Sequence, residues 1–255
     1  PIQITRIEVW ITNRGSQTRN IRNIVGFQDL GESDPSKTSL DDRISNFFDT
    51  KGFLNPPSNE NNRLNPEAIN KGGMLNENIR DVASVSRSFG AFNNLINEGF
   101  DYAVLESARK LADSEYKMHP QLGYISLNQR LSNDEVLGVA FQYTFRGKVY
   151  QVGEFANGGV SGTNLVQNQT TQSQVVNSNN LVVKLLKSNI TEVRQPIWDL
   201  MMKNIYNTGA FQISEDDFRL NILYTDPSPL NYLIPVDRSI WPEELDEEIL
   251  LNTMK

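Results

Sequence analysis

The chain offers one histidine, His119, and no cysteine. Thiol nucleophiles, disulfides and cysteine–zinc sites are therefore excluded, and a histidine-rich metal site lacks its ligands. A serine triad would have to recruit His119, yet no Gly-x-Ser-x-Gly elbow accompanies it. His119 precedes Pro120, which favours extended backbone, so it is expected to hydrogen-bond at a strand entry and not to catalyse. Asp34, Ser36 and Thr38 are spaced like the start of a calcium loop, but the central glycine and terminal glutamate are missing. "NGGVSG", Asn157 to Gly162, lacks both the Walker lysine and a G-x-G-x-x-G pattern, and reads as loop. The densest charge is "EELDEE", where Glu243, Glu244, Asp246, Glu247 and Glu248 follow Pro242 at the start of an expected helix. The helix dipole favours carboxylates there, so a solvated face is the first reading and a contact face for a basic partner or cation the second. No enzyme activity, catalytic residue, metal or cofactor is expected.

These residues must be placed by 255 residues carrying 24 basic and 31 acidic side chains, a net charge of −7. A nucleic-acid partner is disfavoured, because such proteins displace counterions with a basic patch. Mean hydropathy is −0.45, and no segment approaches the roughly 20 apolar residues of a membrane helix. The start, "PIQITRIEVW", reads as a strand and not as a signal peptide. Both ends read as cuts from a longer chain. Residues 1–255 are expected to be a single soluble domain, itself not membrane-spanning.

Period-two alternation marks the strands. Ile7, Val9 and Ile11 alternate with Glu8, Trp10 and Thr12, and "RNIVGFQDLG" follows as a second strand expected to pair with the first. "SLDDRISNFF" predicts a short helix, and Pro56, Pro57 and Pro66 make the next stretch irregular. In "DYAVLESARKLADSEY", Tyr102, Leu105, Ala108, Arg109 and Ala112 fall near helical spacing and predict an amphipathic helix. Leu137, Val139, Phe141, Tyr143 and Phe145 then form a uniformly apolar strand face, and Arg146-Gly147 turns the chain into a second strand. That turn would put Glu154 opposite Val139. The apolar face is therefore assigned to a soluble sheet, with Phe141 and Tyr143 covered by the 101–112 helix, and not to lipid. Asn157 to Asn180 reads as a long, mobile loop. "LVVKLLK" and "FRLNILYTDP" read as strands, and "QPIWDLMMKNIYNTG" and "WPEELDEEILLNTMK" as helices. The pattern predicts an α+β fold: antiparallel β-rich sheets, several packed amphipathic helices and long polar loops. Its sub-regions are a strand pair (1–31), a helical and irregular stretch (32–118) and mixed β with two helices (119–255).

Several of these segments, taken in order, resemble one family. They are "ITRIEVWITNR", "RNIVGFQDLGE", "DYAVLESARKL", "HPQLGYISLNQRLSNDEVLGVAFQYTFRGKVYQVGEF", "NLVVKLLKSNI" and "WDLMMKNIY". The family is SprA/Sov, the outer-membrane translocon of the type IX secretion system in Bacteroidota, which also serves gliding motility. The resemblance implies a very large β-barrel that passes folded cargo to the cell surface, with this excerpt a non-catalytic structural, gating or docking domain inserted between barrel strands. Implied partners are the rest of the barrel, other components of the system and the secreted cargo. The implied location is the outer membrane, with the domain facing the outside in preference to the periplasm. The competing reading is a carbohydrate- or surface-binding module using Trp10, Trp198 and Trp241.

Overall fold

Strand β1 (Gln3–Ile11) carries its alternation into the structure: Ile7, Val9 and Ile11 pack on one face, and Trp10 on the other. Along its length β1 pairs antiparallel with β6 (Leu137–Phe145). β6 pairs with β10 (Leu181–Lys187), which lies parallel to β2 (Ile21–Phe27). β2 pairs with β3 (Tyr102–Lys110), and β3 returns to β1 at Lys110↔Trp10 and Arg109↔Ile11. These five strands close a barrel, and β7 (Lys148–Val152) extends β6 as a hairpin. The computed structural model describes residues 2–15, 17–30, 40, 43–48, 55–167, 174–190, 193, 195–202 and 219. The chain divides into two units, Pro1–Asn204 and Ile205–Lys255, and the barrel belongs to the first.

A barrel of five strands is narrow, so its interior mixes large side chains with very small ones. Trp10, Ile24, Leu105, Leu181, Val183 and Leu185 fill it, beside Ala103, Ala108 and Ala140. Gly26 and Gly138 supply the remaining space. A Cβ on Gly26 would meet Leu185, and one on Gly138 would lie 3.0 Å from Val183 Cγ2.

Two layers cover the outside. Over β2, β3 and β10 lies the stretch from Asn55 to Phe100, built of short 3-10 turns that bring Leu64, Leu75, Ile79, Val85 and Phe89 onto Val25, Phe27, Tyr102 and Val182. Phe27, Phe89 and Tyr102 meet there with ring centroids 5.4 to 6.1 Å apart. Asparagine is enriched in this layer because it caps the turns: Asn65 and Asn76 accept from the backbone N–H groups of Glu67 and Asn78 at 2.9 and 3.0 Å. The second layer is the hairpin β4 (Tyr116–His119) and β5 (Tyr124–Leu127), which buries Tyr116 and brings Met118, Ile125 and Leu127 to Val9, Leu137 and Val139.

Several expectations are corrected. The fold is mostly β and not α+β with packed amphipathic helices. The predicted 101–112 helix is β3, and a bulge explains the misreading. Ser107 adopts φ +51 and donates its N–H to Asn23 Oδ1, while the β2–β3 register slips between Arg22 and Ile24. One extra residue at 106–107 therefore separates Leu105 from Ala108, both of which face the interior. A strand thereby acquires the i, i+3 spacing of a helix.

β1 and β2 do not pair with each other, because β3 lies between them. The β6 face is buried, as expected of a sheet, but its cover is the hairpin β4–β5 and the 3-10 layer, not a helix. Phe141 is only half-buried, at the seam of these two layers. The 157–180 stretch contains a hairpin, β8 (Thr163–Gln167) with β9 (Gln174–Ser178). Of the helix predicted from Gln195, the described residues show a single turn, Pro196–Asp199. The predicted strand and helix beyond residue 219, like the Asp34–Thr38 stretch, lie outside the described residues.

Candidate functional site

The β6–β7 hairpin leads directly to the polar centre of the structure. Arg146 (φ +50) and Gly147 (φ +77) form its tight turn, the conformation that suits the twist of two-residue hairpins. After Val152 the chain bends inward at Gly153, whose φ is +76 and whose Cβ would lie 3.2 Å from Ala140 Cβ and 3.3 Å from the Val182 carbonyl. Only glycine lets the chain pass so close to β6 and β10. The bend seats Phe155, 2% exposed, among the interior side chains at the barrel mouth. The Arg6 guanidinium covers its ring at 3.9 Å.

Charged side chains fix this seal. The Glu154 carboxylate receives two bonds from Arg80, at 2.6 and 2.8 Å, and one from the Val182 N–H at 2.9 Å. Arg80 also donates to the Asn180 carbonyl at 3.0 Å, and Asn180 donates from its N–H to the Arg80 carbonyl at 2.9 Å. Asn59 and Gly153 exchange reciprocal bonds of 2.8 and 3.1 Å. Buried Glu8 accepts from the Ala156 N–H at 2.9 Å and from Lys110 and Arg6 at 3.4 and 3.5 Å. Burial pulls the Arg22 guanidinium below its ordinary range, against the attraction of Glu154. Three ties thus join the 3-10 layer, the mouth and β10. A second clamp, Arg43 on Asp101, holds the same layer, and Asp101 also accepts the Asn97 N–H at 2.8 Å. Such an arrangement rigidifies; it does not expose a reactive group.

The sequence-predicted residues fall apart in space. Glu243, Glu244, Asp246, Glu247 and Glu248 lie outside the described residues. His119 ends β4 on the surface, its ring stacked on Tyr124 at 4.3 Å, rather than sitting at a strand entry. Trp10 is 1% exposed inside the barrel, so it cannot stack on a glycan; Trp198 is half-buried and Trp241 lies outside the described residues. Among the described residues no three His, Asp or Glu side chains converge on a possible metal position.

The described residues also form surface grooves, two of which bear on function. One, of about 510 Å³, runs between Glu60–Asn65, Ala68–Met74 and Phe89–Phe92, and Arg63 lies over the Phe92 ring at 4.9 Å. The other, of about 350 Å³, follows β3 from Ala103 to Glu106 between Thr12–Asn13, Glu98–Gly99, Asp134, Val136 and Asn189. Sequence reasoning missed this second groove, because it exists only if 102–110 is a strand. The available signal was Asn23, a polar residue between Ile21 and the apolar run from Ile24, whose side chain secures the bulge.

No curated protein matches the chain. A family model does, over residues 2–132, which is just over half of the chain. The matched part holds β1, β2, β3, the 3-10 layer and the β4–β5 hairpin, whereas β6 and β10, which close the barrel, follow it. The chain belongs to the SprA_N family, described as a motility related/secretion protein.

Proposed function

We propose that this chain is a non-catalytic docking or gating domain of a protein-secretion translocon, one that exports folded cargo across the outer membrane and supports gliding motility. The carrying observation is the family membership over residues 2–132. The interior supports the reading in a second way. Trp10, Leu185 and Phe155 fill the small barrel, each at most 2% exposed. A barrel filled in this manner conducts nothing and holds no ligand, so its work is done on its surface. Its partners in this reading are the remainder of the translocon, other secretion components and passing cargo. Its place is the outer membrane, with the domain outside the cell.

In-frame removal of residues 1–204 from the full-length gene tests the role. The expected result is a translocon present in the outer membrane, cargo retained inside the cell and loss of gliding. Normal secretion and motility would overturn the proposal. A protease-sensitive tag at Leu122, the 75% exposed tip of the β4–β5 hairpin, reports the side of the membrane. Cleavage in intact cells is expected; protection until the outer membrane is permeabilised would place the domain in the periplasm.

A further inference from the structure

The groove beside β3 follows an unpaired strand edge. The Gln28 N–H donates to the Asp101 carbonyl at 2.8 Å, and these residues stand opposite each other in the β2–β3 register. Alternation then turns the backbone groups of Ala103 and Leu105 toward β2, and those of Tyr102, Val104 and Glu106 the other way. β1 covers that other side only at the far end, where the Leu111 N–H donates to the Val9 carbonyl at 2.8 Å. The Tyr102 carbonyl is taken by the Gly99 N–H at 2.7 Å. Val104 and Glu106 have no backbone partner on this side among the described residues. An edge with open N–H and C=O groups is a template for another strand.

The surroundings select the guest. Glu98 and Glu106 line the groove, are exposed, and form no ion pair among the described residues. Asp134 lines it too, paired with Arg14 on the surface. No lysine or arginine lines it. Apolar surface lies alongside: Ile190 is 47% exposed, and Gly99 is so close to it that an added Cβ would lie 3.1 Å from its Cδ1. A strand laid here would run collinear with β1, abutting Thr12–Asn13, and would present alternate side chains to the carboxylates and to the apolar rim.

We propose that the β3 edge at Val104 and Glu106 is a docking site for an extended, lysine- or arginine-bearing peptide segment of a partner, added as a further strand of the barrel sheet. β-Strand addition of this kind draws affinity from main-chain bonds and selectivity from alternate side chains. The site rests on the groove alone and stands or falls independently of the secretion role.

The probe is a short fluorescein-labelled peptide of alternating lysine and valine, titrated by anisotropy against the 255-residue chain. Binding is expected to saturate, to weaken with salt, and to slow hydrogen exchange at the Val104 and Glu106 amides. N-methylation of alternate peptide nitrogens is expected to weaken it about tenfold or more, as is the surface double variant Glu98→Lys/Glu106→Lys. A glutamate–valine peptide is expected not to bind. Equal binding of the N-methylated peptide would reduce the contact to charge adhesion and overturn strand addition. Protection elsewhere, at the β7 edge for example, or no binding up to about 1 mM, would overturn the site.

Discussion

Gly26 tests the packing of the interior where β2 meets β10. Its strand position faces the interior, and a Cβ there would lie 2.7 Å from Leu185 Cγ and closer still to Cδ2. Relaxed carbon contacts are about 3.5–4.0 Å, so Gly26→Ala must displace Leu185 by roughly 1 Å. Leu185 is 0% exposed and touches the same interior as Ile24 and Val183, so it has nowhere to swing. Overpacking of this kind costs about 1–3 kcal/mol. Alanine recovers about 0.4–1 kcal/mol by restricting the unfolded chain, which leaves a net loss of about 1–2 kcal/mol. Leu185→Ala alone should cost about 2–5 kcal/mol through the space it empties. In the double variant the new methyl occupies that space, so the combined loss should fall about 1–2 kcal/mol short of the sum. Urea unfolding followed by Trp10 fluorescence, in a Trp198→Phe/Trp241→Phe background, measures all four corners of the cycle. Additivity within about 0.5 kcal/mol would refute the contact.

Two further perturbations probe the cover and the aromatic cluster. Arg80→Ala should destabilise by about 3–5 kcal/mol, because it leaves the buried Glu154 carboxylate with the Val182 N–H and without its salt-bridge partner, retaining only the longer-range attraction of Arg22; Arg80→Met combined with Glu154→Leu should recover most of that loss in the same urea titration. The Tyr102 hydroxyl is pushed up to about 12 by burial, then by the charges of Glu98 and Asp101. Its folded value exceeds the ordinary 10.0 of the unfolded chain, so its contribution is whole below pH 10 and lost as pH rises toward 12. Tyr102→Phe should flatten that alkaline limb, and an unchanged limb in pH-dependent unfolding would show that other groups govern it.

The hairpin at Arg146-Gly147 was legible in the sequence because everything that defines it is local. A two-residue turn sets the register, and Phe145↔Lys148 through Phe141↔Val152 follows directly, leading on toward Val139 and Glu154. β1, β2, β5 and β10 were legible for a related local reason: each is a short stretch rich in β-branched, aromatic or other apolar residues, and β1 also alternates at Ile7, Val9 and Ile11. β3 was not, because periodicity assumes one residue per step and the bulge at Ser107 inserts another. The neighbours of a strand are less legible still. β1 and β2 are joined by a short connection, yet β3, about eighty residues later, inserts between them. Nothing in a strand's own sequence records its lateral partner when both faces are apolar.

The candidate site failed to appear for a related reason. Catalytic and metal sites announce themselves through side-chain type, and a reading by type finds little in this chain beyond the acidic run at 243–248. The β3 groove is made instead of missing hydrogen bonds, a property of backbone that every residue type shares. It arises where β1 ends at Ile11 while β3 continues to Tyr102, an offset imposed by the register Ile11↔Arg109. Closing a five-strand barrel requires staggered strands, and stagger leaves overhanging edges at the ends. Most proteins blunt such an edge with charge, a bulge or a cover. Here the bulge sits at Ser107 and carboxylates line the opening, but Val104 has no covering strand among the described residues. The same stagger that closes the interior to ligands therefore leaves a place on the outside where another chain can join the sheet.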